Sequence, residues 1–203
     1  PQYRDLDAGL HLCYAGTPGR KDKLGVVLHA IASLGKDASR ISFHLVGLGA
    51  SELDLLMKES GLDSTSGIRN CRIMAHGLVD NSTARLIVAS CDFTVLLRDR
   101  ARFSMAGFPS KVAESMVLGT PVMANLSSNL DEVLADGGNA IVVSQPDVAC
   151  VATAIERALR LGCDDVRRMK ESAGKDGIRL FDPEQYVACL GDFMEARVKA
   201  CTR

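Results

Sequence analysis

The stretch ISFHLVGLGASELDLLMKES, residues 41–60, decides the fold that we expect. Its first six residues include apolar side chains at both odd and even positions, which is typical of a strand buried on both faces. A glycine-rich turn follows, and from Glu52 the apolar residues recur at helical spacing. Ser51, with Asp54 three residues later, resembles a capping box for that helix. The stretch therefore predicts a strand–turn–helix unit.

The same unit recurs along the chain. Short apolar runs occur at residues 12–15, 41–46, 72–75, 93–97, 121–124 and 140–143, and amphipathic segments at 23–34, 52–60, 82–90, 111–118 and 129–135. This alternation predicts an α/β fold, a doubly wound, mainly parallel Rossmann-like sheet of about six strands with helices on both faces. After residue 143 the pattern is helical, at residues 147–161, 164–174 and 183–200. We expect a linker arm at 1–10, one domain at 11–180 and a C-terminal helix at 181–203.

The composition excludes several classes of protein. Hydrophobic residues make up 47% of the 203 residues and charged residues 24%, as in a folded globular domain. The formal net charge of -1 and the aromatic content of 4% argue against nucleic-acid binding. The 7 cysteines have no C-x-x-C spacing, so we expect reduced thiols in a cytoplasmic protein rather than disulfides or a zinc site. No apolar stretch is long enough to span a membrane, and the chain begins without Met, as if cut from a longer one.

The segment GTPGRKDK, residues 16–23, follows the first apolar run and precedes a helix. Ligands of a parallel sheet bind beyond the carboxyl ends of the strands, where this segment is expected to lie. Its glycines, the helix N terminus and the cations Arg20, Lys21 and Lys23 favour an anion such as phosphate. The segment is neither a G-x-G-x-x-G motif nor a Walker motif, and a solvated turn with surface cations explains it equally well.

A second candidate site is AGFPSKVAE, residues 106–114. We expect Pro109 to set the entry to a helix that Ser110 caps and that begins at Lys111. Glu114 lies one residue too late to complete a capping box with Ser110. Two interpretations stay open. Either Lys111 and Glu114 form a surface ion pair, or the helix N terminus binds a diphosphate while Glu114 accepts hydrogen bonds from ribose hydroxyls.

Residues 108–124, FPSKVAESMVLGTPVMA, resemble the donor-site signature of the retaining glycosyltransferases of group 1, also called family 4, which have the two-domain GT-B fold. Glu114 and the segment GTPV at 119–122 match the second part of that signature. The segments YAG at 14–16, LHAI at 28–31, VGLG at 46–49, HGLV at 76–79 and LDEVLADGGNA at 130–140 resemble the family in the same order. The resemblance spans about residues 11–200, and it covers only the C-terminal, donor-binding half of such an enzyme.

The resemblance implies a role for each candidate residue. The diphosphate of a nucleotide sugar would be bound by Gly16, Arg20, Lys21, Pro109, Ser110 and Lys111, the ribose by Glu114, and the base by the backbone around His76, Gly77 and Leu78. No metal and no cofactor is implied, and no catalytic residue is assignable in this half. Two positions depart from the pattern, because the first Glu of the family, which contacts the donor sugar, falls on Ala106, and a usual Arg falls on Thr17. The other histidines, at 11, 29 and 44, are expected to be ordinary core or surface residues.

The resemblance also implies a function for the whole protein. It would move a sugar from a UDP or GDP sugar to an acceptor with retention of configuration, and its variant of the signature is similar to a bacterial subset of the family. This chain would be inactive alone, and its partners would be the nucleotide sugar and the missing N-terminal acceptor domain, through which any membrane contact would run. The helix at 183–200 would cross to that domain, and in its absence it would fold onto its own domain or pair with a second copy. Two alternatives stay open: a degenerate, non-catalytic nucleotide-binding or scaffold module of the same fold, and one half of a nucleotide-sugar epimerase.

Overall fold

A computed structural model describes residues 9–19, 21–62, 67–99 and 101–201 of the chain. The strands are β1 (Leu10–Ala15), β2 (Ile41–Val46), β3 (Arg72–Gly77), β4 (Phe93–Leu96), β5 (Val122–Asn125) and β6 (Ala140–Val143). The helices are α1 (Leu24–Ser33), α2 (Ala50–Glu59), α3 (Asn81–Ser90), α4 (Arg102–Met105), α5 (Ser110–Val117), α6 (Val148–Arg160), α7 (Cys163–Phe181) and α8 (Glu184–Cys201). Of the predicted arm at 1–10, only Gly9 and Leu10 lie among the described residues, and Leu10 is already the first residue of β1.

The six strands form one parallel sheet with the order β3-β2-β1-β4-β5-β6. β1 pairs with β2 along its whole length, from Leu10 opposite Ile41 to Ala15 opposite Val46. On its other side β1 pairs with β4, so the sheet grows outward from its centre in two directions. The predicted doubly wound α/β sheet is therefore confirmed. This order creates a topological switch point between β1 and β4, where sheets of this kind bind their ligands.

Apolar side chains bury both faces of the sheet, because successive strand residues point to opposite sides. On one face, Leu12 and Phe43 pack with the buried sides of α1 and α6. On the other face, Ala124 of β5 packs with Val112 and Met116 of α5. Burial on both faces explains why the strand sequences lack a simple alternation of apolar and polar residues.

The start of α2 differs from the prediction. The helix begins at Ala50, and its cap is Gly49, whose backbone N–H donates to Glu52 Oε2 over 3.0 Å. The cap therefore uses the backbone N–H of Gly49 and the side chain of Glu52, and the predicted pairing of Ser51 with Asp54 is wrong. In this segment more than one pair of residues has the three-residue spacing of a helix cap. The geometry of the turn before α2 decides which pair forms the cap.

The predicted helix at 129–135 is also wrong. The segment forms only a 3₁₀ turn at Leu130–Glu132. The side chain of Asn139 accepts a hydrogen bond from the N–H of Ala135 over 2.8 Å and donates to the carbonyl of Val133 over 3.0 Å. These bonds satisfy the backbone without a helix and lead the chain directly into β6.

The two last helices form the C-terminal part of the described chain. α7 continues through Gly174 to Phe181, beyond the predicted end, because its glycines allow close contact with α5. A Cβ added at Gly177 would lie 2.5 Å from the backbone carbon of Met116. α8 follows, and its exposed large apolar side chains are Tyr186, Val187, Leu190, Phe193, Met194 and Val198. The terminal helix is present, and its crossing to another domain stays a prediction.

Candidate functional site

The loops that follow β1 and β4 are joined at the carboxyl edge of the sheet. Asp22 pairs with Arg98 in an isolated antiparallel bridge, and the N–H of Lys23 donates to the carbonyl of Leu97 over 2.9 Å. β1 and β4 are the strands on either side of the switch point, so their loops form the walls of the crevice in which a ligand is expected. The candidate anion segment at 16–23 therefore lies where the sheet topology places a ligand site.

Gly16 is the point at which the loop after β1 approaches α5. Its φ is 120°, and its N–H donates to the carbonyl of Val46 over 2.9 Å. A Cβ added at Gly16 would lie 2.7 Å from Lys111 Cε, so a side chain at this position would displace the lysine. The structure thus brings together two residues that the sequence predicted for the same site.

Lys111 is held by a buried carboxylate. Its Nζ donates to Asp22 Oδ2 over 2.6 Å and to the hydroxyl oxygen of Tyr14 over 2.7 Å. The Tyr14 hydroxyl donates to the same Asp22 oxygen over 2.6 Å. The ammonium group also lies 4.4 Å from the centre of the Tyr14 ring, within the range of a cation–π interaction. The best-placed cation of the site is therefore already paired.

The protonation states of this cluster follow from its contacts. Burial works against an ionised Asp22, but the hydrogen bonds from Lys111 and Tyr14 and the charges of Lys111 and Arg98 hold the pKa of its carboxyl below the ordinary value. Burial, and then the hydrogen bond to Asp22, raises the pKa of Tyr14. At neutral pH the cluster contains a carboxylate, a neutral phenol and an ammonium group, so Asp22 cancels one positive charge beside the crevice.

Arg98 is a second cation beside Asp22. Its Nε lies 3.6 Å from Asp22 Oδ1, and the side chains of Arg98 and Asp22 are only 12% and 6% exposed. The side chain of Asn125 accepts from the N–H of Arg98 over 2.9 Å and donates to the carbonyl of Arg98 over 2.8 Å. Because Asn125 is the last residue of β5, the sheet itself positions the arginine.

A cleft of about 300 Å³ lies between α3 and α5. Lys111 and Glu114 line it on the α5 side, and Asn81 and Arg85 line it on the α3 side. Most of its remaining lining is apolar: Ala15, Ala84, Val88, Ala113, Val117, Leu118 and Phe181. Glu114 is exposed, and Lys111 forms its ion pair with Asp22, so the interpretation of Lys111 and Glu114 as a surface ion pair is wrong.

Gly77 and Leu78, predicted to contact a base, line a different cleft. This second cleft has a volume of about 700 Å³ and is bounded by the loops after β1, β2 and β3. Leu78 is 90% exposed there, and Asp22 lines the same cleft from the loop after β1. The structure therefore places Gly77 and Leu78 across the Lys111–Asp22 pair from the cleft that contains Glu114, and their contact with a base stays a prediction.

The side chain of His76 belongs to a row of three histidines on β1, β2 and β3. His11 Nδ1 lies 3.2 Å from His44 Nε2, and His44 Nδ1 lies 3.2 Å from His76 Nε2. Burial, and then the charges that His11, His76 and Arg72 can carry, lowers the pKa of His44 to about 4. Sequence reasoning treated these histidines one by one, and only the strand register shows that they form a connected row.

The N-terminal cap of α5 lies one residue before the predicted position. Pro109 is the cap of the helix and Ser110 is its exposed first residue, so the predicted cap at Ser110 is wrong. The first N–H groups of a helix have no partner within it, and in the first turn of α5 the side chain of Lys111 reaches Tyr14 and Asp22 beside the crevice. Lys21 is exposed on the loop after β1, and Arg20 lies outside the described residues.

Sequence reasoning missed three residues of this site, namely Tyr14, Asp22 and Arg98. Asp22 is the single acid in the basic segment at 20–23, and that isolation is the one signal that marks it. Tyr14 and Arg98 carry no comparable signal, because each looks like an ordinary residue near a strand end until the fold places it beside Asp22.

A comparison with known protein families identifies the family of this chain. Residues 9–160 match the family model of the glycosyl transferases of group 1. The chain belongs to this family. No curated protein is similar enough in sequence to match the chain. The match confirms membership of group 1, which the signature at 108–124 indicated, and it includes the loops after β1 and β4, α3 and α5.

The fold of this group 1 chain is similar to several solved structures. Sucrose-phosphate synthase from Thermosynechococcus elongatus superimposes with a TM-score of 0.75 at 18% identity, over 97% of this chain and 47% of that protein. HepE of Anabaena, solved in complex with UDP, gives a TM-score of 0.72 at 16% identity, over 94% and 50%. A mutant of TarM from S. aureus, whose complex includes UDP, gives a TM-score of 0.70 at 12% identity, over 93% and 35%. The likeness shows a GT-B type fold, and the chain spans half or less of the length of these proteins.

Two kinds of feature are absent from the described part of the group 1 chain. Within the described ranges, no group of three or more His, Cys, Asp or Glu side chains is arranged to hold a metal ion. None of the helices in the same part of the chain is long and apolar enough to cross a membrane.

Proposed function

We propose that this chain is the donor-binding half of a glycosyltransferase that moves a sugar from a nucleoside-diphosphate sugar to an acceptor with retention of configuration. The observation that carries the proposal is the cleft between α3 and α5, where Lys111 and Glu114 line one wall beside an apolar floor. The family match and the UDP complexes of proteins with the same fold support it.

The two α5 residues, Lys111 and Glu114, would bind different parts of the nucleotide. Lys111, together with the N–H groups at the N terminus of α5, would bind the diphosphate. The same groups would stabilise the negative charge that grows on the diphosphate as its bond to the sugar breaks. Glu114, nearly one turn further along the helix, would accept hydrogen bonds from the ribose hydroxyls. No step of this scheme requires a metal ion.

The base would lie on the α3 side of the cleft. Asn81 and Arg85 provide polar groups there, and Ala84 and Val88 provide apolar surface. Gly77 and Leu78 line the neighbouring cleft instead, so this placement of the base differs from the predicted contact with residues 76–78. None of the described cysteines forms a disulfide, and a cytoplasmic location is part of the proposal.

Titration calorimetry tests the proposal. A site built around a diphosphate should bind UDP more tightly than UMP, or GDP more tightly than GMP, because a diphosphate carries more charge to the N terminus of α5. Equal affinity within both pairs would contradict the assignment of the diphosphate to Lys111. The chain alone is expected to transfer no sugar, since the reaction needs donor and acceptor held in one geometry and the chain holds only the donor side.

A second candidate is a non-catalytic module of the same fold. One observation favours it, which is that Asp22 already neutralises the ammonium group of Lys111. A scaffold module that has lost the nucleotide site would show no heat of binding with UDP, GDP or their sugars, whereas the donor-binding half would. No feature of the described residues favours the epimerase alternative.

A further inference from the structure

One carboxylate at the carboxyl edge of the sheet lies between two cations. Asp22 Oδ2 accepts hydrogen bonds from Lys111 Nζ and from the Tyr14 hydroxyl, each over 2.6 Å. Asp22 Oδ1 lies 3.6 Å from Arg98 Nε, which is longer than a hydrogen bond between such groups. Asp22 is therefore bonded to the cation on α5 and only close to the cation on the loop after β4.

The contact between Asp22 and Arg98 is incomplete. Among the described residues, the buried atoms Asp22 Oδ1 and Arg98 Nε have no hydrogen-bond partner. A buried polar atom without a partner is costly, and a charged one more so. The two donors on Oδ2 fix the direction of the carboxylate, so Oδ1 cannot turn towards Arg98 while Lys111 is bound. The pair would therefore gain stability if Asp22 were released from Lys111 and moved closer to Arg98.

The backbone keeps Asp22 and Arg98 side by side. The two residues form an isolated antiparallel bridge, and the N–H of Lys23 donates to the carbonyl of Leu97 over 2.9 Å. Lys111, in contrast, reaches Asp22 only through its long side chain, from a helix 89 positions further along the chain. Lys111 can therefore leave the carboxylate by rotation of its side chain, whereas Arg98 stays beside it.

The other cations of the loop after β1 do not replace Arg98 in this role. Lys23 pairs with Asp99 over 3.1 Å. Lys21 is exposed, and its charge attracts an anion whether or not Lys111 is bound to Asp22. Arg98 is therefore the cation that can take over the carboxylate when Lys111 leaves it.

We propose that Asp22 is a positioning residue that occupies the place of the donor diphosphate on Lys111 and passes to Arg98 when the donor binds. In the empty site, its carboxylate accepts the hydrogen bond that a phosphate oxygen would accept from the ammonium group. When a diphosphate takes Lys111, Asp22 closes the ion pair with Arg98, so no buried charge is left without a partner. This inference rests on the proposed function, since it requires the diphosphate at Lys111.

Titration calorimetry with UDP and GDP tests the exchange. Asp22→Asn keeps the shape of the side chain and removes its charge, so it should bind the preferred nucleotide about tenfold more tightly than the wild type. Asp22→Ser, which is also uncharged, should have the same effect and provides a second test if one variant folds poorly. The matched control is Asp37→Asn, at an exposed residue before β2 and at the opposite edge of the sheet, and it should leave the affinity unchanged.

A double-mutant cycle separates this role of Arg98 from direct binding of the nucleotide. In the wild type, Arg98→Gln should weaken nucleotide binding about tenfold, because the carboxylate that Lys111 releases has no cation to receive it. In the Asp22→Asn background, Arg98→Gln should change the affinity by about twofold or less, because no carboxylate needs a partner. Equal losses in both backgrounds would mean that Arg98 binds the nucleotide itself, and they would overturn the exchange.

A crystal structure with UDP or GDP gives the geometric test. Asp22 Oδ1 and Arg98 Nε should lie about 2.9 Å apart in the complex, and Lys111 Nζ should no longer be within hydrogen-bond distance of Asp22. A complex in which Lys111 still binds Asp22, or an affinity that Asp22→Asn leaves equal or lower, overturns the exchange and leaves the nucleotide site in place. If neither UDP nor GDP binds the wild type or Asp22→Asn, the proposed function fails and this inference fails with it.

Discussion

At the scale of single residues, the site contains a balance of charges rather than a simple cluster of cations. Lys111 and Arg98 supply two positive charges, and the buried Asp22 lies between them. At the proposed site, a diphosphate would therefore compete with a carboxylate of the protein for Lys111. The ion pair keeps the ammonium group of Lys111 in one position before a ligand binds. It also weakens the attraction between Lys111 and an anionic ligand.

Glu114 provides a residue-scale prediction. If Glu114 binds ribose hydroxyls, Glu114→Gln should weaken the binding of UDP or GDP about 10- to 100-fold, because a hydrogen bond to a charged group is lost. The melting temperature should not change, since Glu114 is exposed and Lys111 pairs elsewhere. Titration calorimetry and thermal melting measure both quantities, with Glu171→Gln on the exposed side of α7 as the control. Unchanged affinity in Glu114→Gln would remove this residue from the site.

The histidine row provides a second residue-scale prediction. The pKa of His44 is lowered to about 4 in the folded chain, against 6.5 for an ordinary histidine. Below pH 6.5 the unfolded chain therefore takes up the proton first, and stability falls as the pH drops towards 4. Urea unfolding should show that the wild type loses about 1–2 kcal/mol more than His44→Gln between pH 7 and pH 4.5. Equal losses in both proteins would show that His44 does not carry this dependence.

At the scale of elements, the packing of α7 on α5 depends on a glycine. A Cβ at Gly177 would meet the backbone of Met116 at 2.5 Å, whereas Gly191 on α8 has nothing within 4 Å. Gly177→Ala should lower the free energy of unfolding by about 1–3 kcal/mol, because the helices must separate. Gly191→Ala should leave it unchanged or raise it by up to about 1 kcal/mol, because alanine favours a helix. Chemical denaturation of the two variants checks this difference, and a neutral Gly177→Ala would contradict the close contact.

The elements also show what the sequence could predict. The strands and the helix with Lys111 and Glu114 followed from apolar runs and from a local motif. The segment at 129–135 was predicted as a helix and is not one, because the side chain of Asn139, just beyond the segment, satisfies its backbone. Asp22 was not recognised as the partner of Lys111 for a different reason, since the two are 89 positions apart and only the fold joins them. Apolar patterns predict the elements, and hydrogen bonds made by particular side chains decide the exceptions.

At the scale of the whole molecule, α8 exposes a large apolar surface. Leu190 is 60% exposed and Phe193 is 55% exposed, and soluble monomers seldom expose large contiguous apolar patches. We expect the isolated chain to associate through α8 as its concentration rises. Leu190→Glu and Phe193→Glu should each favour the monomer, and Asp192→Lys, which changes charge on the same helix, should not. Sedimentation velocity across a series of concentrations measures this, and a wild-type chain that stays monomeric throughout would contradict it.

The glycine contact between α7 and α5 has a consequence for regulation. α5 carries Lys111 and Glu114, α7 touches its backbone at Gly177, and α7 leads directly into the exposed helix α8. A partner that binds α8 and holds it in place would therefore also restrict the tilt of α7 and, through α7, the position of Lys111. Such coupling is reciprocal. If a partner bound to α8 raised the affinity for a nucleotide at α5, the nucleotide would raise the affinity of α8 for that partner by the same factor. Through α7, the occupancy of the proposed donor site would then affect how tightly a partner binds α8.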